Sequence, residues 1–277
     1  MDRPERPAPP FISFLTDFGS DSAPAVCRGV MWAICPDARI LDIGHTVAKF
    51  AIRDGAFLLD CALPYLPVGV HLAVVDPGVG TSRRPLALRA ARGDVLLGPD
   101  NGLLAPAARR LGGIESARIL ENPELWRPEV SSTFHGRDIF APVAAHLACG
   151  AGFDTIGPEI PPSEIVDLVL PVAAPARGGL DSAVLFVDSF GNCRVAGQAA
   201  DLESLTGALR PGDRFRVLLP HRELSVPWAT TFGDVAAGEP LLYEDADYAG
   251  LALGINQGSA AEHFGLARDT PVRIEPA

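Results

Sequence analysis

The first hundred residues repeat one pattern: an apolar run stops at a carboxylate or an amide, and segments with helical spacing alternate with these runs. "FISFL" leads into "TDFGSD", "GVHLAVV" into "DPGVGTSRR" and "DVLLG" into "PDNG", with "ARILDIG" as a further strand-like run. Between them, "AVCRGVMWAIC" lies after Pro24 and stops before Pro36, while "IRDGAFLLDCALPYL" and "LLAPAARRLGG" have the apolar spacing of helices. Strands that alternate with helices predict a mostly parallel sheet covered on both faces. Ligands of such sheets gather at the carboxyl ends of the strands. Asp17, Asp76 and Asn101 all fall on that edge.

Beyond about residue 170 the grammar changes. "LPVAAPARGGL" reads as a linker, and "SAVLFVDSFGNCRVAG", "DRFRVLLP", "RELSVPWATTF", "PLLYED", "LALGIN" and "PVRIEP" read as short strands with turns. The expected organisation is a flexible Pro-rich tail over 1–10, an α/β domain over 11–170, a linker over 171–180 and a smaller β-rich, barrel-like domain over 181–277. In the second domain the loops "DSFGN" and "TTFGD" set aromatic rings beside polar groups, as a flat heteroaromatic ligand requires. A hydrophobic plug is the equally simple alternative.

Charge narrows the partners. A formal net charge of −11 opposes nucleic acid and anionic membranes, which would repel such a surface. The apolar runs are interrupted well before the ~20 residues a membrane span needs. Small neutral or cationic ligands fit better. Five cysteines, odd in number and without a CxxC pair, suggest neither a disulfide framework nor a zinc site, and a reducing cytoplasm is the expected compartment.

Individual residues carry both a structural and a chemical reading. Asp17 before Gly19 is a common turn arrangement, yet its carboxylate could take two ribose hydroxyls. Asp76 ends a nearly continuous apolar strand, where an ionised group needs a partner, and the loop could fold Arg83 or Arg84 back to it. His135 in "TFHGRDIF" lies at the start of a helical segment running to Gly150, with Ser131, Ser132 or Thr133 as N-cap candidates. The positive end of a helix disfavours imidazolium, so this histidine is expected to be neutral. Gly136 permits close approach of a ligand. His146 reads as structural, Arg137 and Asp138 as an ion pair, and His45 with Asp42 as turn residues.

Taken in order, "TDFG", "VVDPGVGTSRR", "PDNGLL", "TFHGRDIFAPVAAHLACG", "VDSFGN" and "GINQGSAAEHFGL" resemble the S-adenosyl-L-methionine (SAM) hydroxide adenosyltransferase family, the SAM hydrolases, which are relatives of fluorinase and chlorinase. The resemblance covers nearly the whole chain after the tail. It implies hydrolysis of SAM to adenosine and L-methionine without a cofactor or metal, by a homotrimer whose site lies between the first domain of one subunit and the β domain of its neighbour. It also assigns roles: Asp76, Arg83 and His135 to the attacking water, Asp17 to the ribose and Phe50 to an aromatic wall beside the sugar. Asp188, Phe190, Asn192 and Phe232 fall around the adenine and methionine moieties, and Asn101 belongs to a motif at the same edge.

The departures are specific. Gly136 stands where fluorinase has a serine, and "RAARGDVLLGPDNG" lacks fluorinase's long insertion. The first loop, which holds Asp21, is one residue shorter than the family's usual length. At the methionine end a Ser-x-Gly run is replaced by "DADYAGLALGIN", with Tyr248 and Gly250 in its place. Attack at the 5′ carbon expels a neutral thioether, so activation of the nucleophile is the main demand. Three other readings stand beside hydrolysis: a halogenase of the same fold, a metal-dependent hydrolase using Asp17, Asp76, His135 and Asp138, and a sensor that binds SAM or adenosine without turnover.

Overall fold

A computed structural model describes residues 9–245 and 250–277. Tyr248 and most of the Pro-rich tail lie outside the described residues. The chain divides into two compact units, Met1–Val169 and Leu170–Ala277.

In the first unit the strands are β1 (Phe11–Thr16), β2 (Arg39–Gly44), β3 (Val70–Val74), β4 (Pro85–Ala90), β5 (Val95–Pro99), β6 (Ile114–Ile119) and β7 (Glu159–Ile160). They form one sheet in the order β2-β1-β3-β5-β4-β6-β7. Pairing is parallel across β2, β1, β3 and β5 and antiparallel through β4, β6 and β7. The antiparallel part arises because β3 returns as β4 directly through the "DPGVGTSRR" loop, with no crossover helix. Helices α1 (Ala23–Ile34) and α4 (Ala141–Ala148) pack into the core on one face, with Phe14, Leu72 and Phe140; α2 (Ile52–Ala62) and α3 (Ala105–Arg110) cover the other, with Leu15, Leu59 and Leu96. Asp17, Asp76 and Asn101 follow β1, β3 and β5, three neighbouring parallel strands, so their backbones leave the same edge side by side.

The helical segment after His135 is not one regular helix. A π turn, Gly136–Phe140, precedes α4, and none of the three N-cap candidates caps it: Ser131 Oγ instead accepts from Phe134 N at 3.0 Å. Pro142 has no N–H for the carbonyl four residues back. That carbonyl, of Asp138, accepts instead from Arg127 N at 2.9 Å, which ties the preceding loop to the turn.

The expectation from cysteine spacing needs correction. Cys35 and Cys149 form a disulfide, with Cα atoms 5.8 Å apart, while Cys27, Cys61 and Cys193 are free and buried. The pairing joins the C-terminal ends of α1 and α4. It depends on helix packing across 114 residues of separation, which spacing rules do not register. Among the described residues, no helix is long and apolar enough to cross a membrane.

The second unit is an antiparallel, nearly closed barrel. Its strands are β8 (Ala174–Ala176), β9 (Gly179–Val187), β10 (Cys193–Val195), β11 (Arg214–Leu219), β12 (Arg222–Pro227), β13 (Pro240–Asp245), β14 (Gly250–Ile255) and β15 (Pro271–Pro276), with helices α5 (Ala199–Thr206) and α6 (Ala260–Phe264). The path runs β12-β11-β15-β9-β10-β14-β13, with β8 added to β9. A bridge between Trp228 and Leu242 draws its two ends together. Leu180, Val184, Phe215, Val217, Leu253 and Ile274 fill the interior, as alternation along twisted strands requires. The segment expected to be a linker contributes β8, because Gly178 at φ 74° turns the chain back as a hairpin.

Candidate active site

The loop between β3 and β4 answers which arginine folds back. Arg83 Nε donates to both oxygens of Asp76, at 3.0 and 2.9 Å. Arg84 turns away and donates from Nε to Asp100 Oδ2 at 2.8 Å. Arg83 also reaches across to the next loop, where its Nη2 lies 3.0 Å from His135 Nδ1, and its guanidinium rests 5.2 Å from the centre of the Phe140 ring. Asp76, Arg83 and His135 therefore form one chain of contacts. The side chains of Asp76 and Arg83 are only 6% and 10% exposed, so the pair is shielded from bulk water without being sealed off.

Guanidinium nitrogens only donate. His135 Nδ1 must therefore accept, which leaves the ring proton on Nε2 and the imidazole neutral. Its pKa agrees: burial pushes it below the ordinary histidine value and the Arg83 charge adds to this, against the opposing pull of Asp76 and Asp138. Neutrality was expected from a helix dipole; the structure supplies burial and a guanidinium instead.

Two glycines allow the loops to meet. Gly80 has φ 75°, and a Cβ there would stand 2.4 Å from the Ser132 carbonyl oxygen, so the Asp76 loop lies directly against the loop carrying His135. Gly136 is buried, and a Cβ on it would stand 2.7 Å from Phe18 Cζ. Phe18 in turn makes an edge contact with Phe134 at 5.6 Å between ring centres. The residue after Asp17 thus packs on the residue after His135.

Asp17 Oδ2 accepts from Phe50 N at 2.9 Å. Phe50 is held at φ 66° and is 67% exposed. A carboxylate oxygen can take a second donor, so Asp17 keeps acceptor capacity beside an exposed ring. Asp21 is exposed. His45 behaves as a turn residue: its Nδ1 meets Thr16 Oγ1 at 2.9 Å and its carbonyl accepts from Gly19 N at 2.7 Å. Asn101 spends its amide on backbone, with Nδ2 donating to the Val75 carbonyl at 2.9 Å and Oδ1 accepting from Leu103 N at 3.2 Å.

Asp138 is fully buried and works inside its own loop. It accepts from Arg127, from Arg137 and from Ser131 N. Burial alone would raise its pKa, but the bonds from Arg137 and Ser131 hold it well below the usual carboxylate range. Its oxygens face these donors rather than the Asp76 carboxylate. Among the described residues no group of three His, Cys, Asp or Glu side chains is disposed to hold a metal ion.

In the second unit, Phe190, Asn192, Phe232, Ile255, Asn256, Gln257 and Gly258 line a cavity of about 500 Å³. Asp188 builds one wall by accepting from Phe190 N, Asn192 N and Asn192 Nδ2, each at 2.9 Å. This presents the Phe190 ring, 78% exposed. Asp234 holds the Phe232 turn through Thr230 N at 2.8 Å and Thr231 N at 3.0 Å.

Family models of the SAM hydroxide adenosyltransferase N-terminal and C-terminal domains match residues 12–157 and 182–273. The chain belongs to the SAM hydroxide adenosyltransferase family. It is 45% identical to the (R)-S-adenosyl-L-methionine hydrolase of Salinispora tropica, over 96% of this chain and 97% of that protein. Identity to the (R)-S-adenosyl-L-methionine hydrolase of Thermus thermophilus is 39%, over 95% and 98%. The fluorinase of an Actinoplanes species is more distant, at 29% over 97% and 98%. Among solved structures, a conserved protein from Thermotoga maritima superposes with a TM-score of 0.88 at 34% identity, covering 95% of this chain and 99% of that one.

Asn256 and Gln257 are cavity residues to which sequence reasoning gave no role. The signal was present in "GINQG", an apolar strand ending in two amides and a glycine. Asn256 Nδ2 ties the turn to the Val235 carbonyl at 2.8 Å, and Gln257 stands at φ 55°.

Proposed function

We propose that this protein hydrolyses SAM to adenosine and L-methionine. The observation that carries the reading is the Asp76-Arg83-His135 chain, in which one guanidinium bonds both partners and fixes the imidazole tautomer. Similarity to proteins named (R)-S-adenosyl-L-methionine hydrolase supports it.

One water would sit against the Asp76-Arg83 pair. Asp76 accepts one of its protons, Arg83 stabilises the negative charge that develops as the proton leaves, and His135 acts through Nδ1, which holds the guanidinium in place. The oxygen attacks the 5′ carbon in line with the departing sulfur, a substitution of SN2 type. The new C–O bond forms as the C–S bond breaks, the C–S electron pair neutralises the sulfonium, the proton taken by Asp76 passes to solvent, and the water's other proton stays on the 5′ hydroxyl of adenosine. Opposite charges cancel along this path, so a pocket shielded from water favours it. Orientation of one water can contribute several of the ~7–11 kcal/mol available from proximity.

Asp17 would take the ribose hydroxyls, Phe50 the sugar face, and Phe190, Asn192 and Phe232 the adenine, with Asp188 shaping that wall. Gly136 leaves room beside the reacting carbon. Asp21, in the first loop, is assigned to substrate binding, and the segment of Tyr248 and Gly250 to the methionine end. A homotrimer and a cytoplasmic location complete the reading. Light scattering tests the first, and cell fractionation the second, with the redox state of Cys35 and Cys149 read in the same sample because reducing compartments keep most thiols unpaired.

Incubation with SAM in 18O-labelled water should give adenosine labelled at its 5′ oxygen. Unlabelled adenosine would overturn the reading, and 5′-halo-adenosine when halide is supplied would replace it with a halogenase. Tight binding without any product would leave the sensor, and loss of turnover on chelation would favour the metal hydrolase.

A further inference from the structure

The turn Pro99–Gly102 grips both ends of the loop that carries Asp76 and Arg83. At the loop's start, Asn101 Nδ2 donates to the carbonyl of Val75, the residue before Asp76, at 2.9 Å. At its end, Asp100 N donates to the carbonyl of Arg84, the residue after Arg83, at 2.9 Å. The Asp100 carboxylate repeats the second contact through Arg84 Nε at 2.8 Å. Its other oxygen accepts from Val166 N at 2.8 Å, and the side chain is 2% exposed. A carboxylate buried to this degree has to be compensated, and here the compensation comes from the loop end at Arg84 and from the strap at Val166.

We infer that Asp100 and Asn101 are positioning residues that set the separation of Asp76 and Arg83 by holding the two ends of their loop to one rigid turn. The mechanical argument is short. Arg83 has a long, flexible side chain, and its loop from Asp76 to Arg84 has no helix or strand of its own. With both ends pinned beside β5, the span the loop must bridge is fixed, and the guanidinium meets Asp76 and His135 together. Asn101 stands at the strand edge where ligands of such sheets gather. Its two bonds run to backbone on either side, so its amide orientation is dictated by the loop. Arg83 and Arg84 divide the work: one holds the reacting groups and the other anchors the chain.

The inference rests on the hydrolysis reading, so its test has an arm independent of turnover. Asn101→Asp keeps the acceptor for Leu103 N and loses the donor to Val75. Asp100→Asn keeps the backbone bond to Arg84 and loses the charge. Both are expected to lower kcat roughly 10- to 100-fold, the scale of a displacement of about 1 Å at a reacting group, with KM for SAM changed by less than about threefold. In the same variants the 15N signal of His135 Nδ1 should move toward that of a nitrogen without a donor, as Arg83 withdraws. Thermal melting reports folding, and if Asp100→Asn does not fold, Asn101→Asp decides alone. Folded variants with wild-type kcat and an unmoved His135 signal would overturn the inference, as would a raised KM at constant kcat, which would make Asn101 a substrate ligand. A wild-type protein that forms no adenosine would sink the hydrolysis reading while leaving the His135 signal to judge the clamp.

Discussion

Arg83 Nη2 lies 3.0 Å from Nδ1 of His135, and this contact defines the chemistry of the imidazole. The nitrogen facing Arg83 cannot carry a proton, so the ring accepts from the guanidinium at Nδ1 and carries its N–H on the far side, at Nε2. The base is then Asp76, whose two oxygens already accept from Arg83. A cation shared by base and imidazole aligns both with a single residue.

His135 should titrate below the ordinary histidine value, and the neighbours should move it in opposite directions. Arg83→Gln removes a charge that lowers its pKa, so the pKa should rise; Asp76→Asn removes one that raises it, so the pKa should fall. Histidine-selective NMR titration reads both. Because the neutral ring is the active form, kcat/KM should be constant above that pKa and fall as the pH drops through it. An acid limb well above about 6.5 would contradict this.

Loss of the base should be felt in turnover and not in binding. Asp76→Asn keeps size and shape but accepts a proton poorly, and His135→Ala removes the acceptor that holds Arg83. Each should lower kcat by about 10²-fold or more, with the dissociation constant of SAM, measured by calorimetry, nearly unchanged. A variant that loses affinity and turnover together would place the residue in ligand binding.

Gly136 and Phe18 should behave as a coupled pair. A Cβ at position 136 would lie 2.7 Å from Phe18 Cζ, so Gly136→Ala is expected to destabilise by about 1–3 kcal/mol through overpacking. Phe18→Leu in the same chain should recover part of that loss, since it withdraws the ring edge. Denaturant unfolding of the single and double variants measures the coupling. Strictly additive effects would mean that the two residues do not share the space.

The strand edge was legible because its signals are local. Asp17, Asp76 and Asn101 each end an apolar run, and strand periodicity suffices to place them. His135 beside Arg83 was not legible from pattern. Fifty-two residues separate them, and Gly80 lying against Ser132 decides their meeting. The choice between Arg83 and Arg84 likewise depended on Asp100, a buried carboxylate whose partner no spacing rule names. The role of Asn101 stayed open for a related reason: an amide at a strand end can face a ligand or its own backbone, and only the position of the Val75 carbonyl shows the second. In the barrel, strands and exposed-type aromatics were readable from alternation. The cavity wall at Asn256 and Gln257 needed the curvature that brings "GINQG" beside "DSFGN".

The Cys35–Cys149 bond should contribute stability without touching the chemistry. It joins residues 114 apart, and closing a loop of that length restricts the unfolded chain strongly, for a typical contribution of about 2–4 kcal/mol. Denatured without reductant, the protein should show the three free thiols of Cys27, Cys61 and Cys193, and after reduction all five. Reduction, or Cys149→Ser, should lower the melting midpoint by roughly 5–15 °C. Turnover at moderate temperature should be retained, because Cys149 lies at the far end of α4 from His135. Five thiols before reduction would show that the helices pack without the bond. Loss of turnover in a folded Cys149→Ser protein would mean that the disulfide governs where α4, and with it His135, sits.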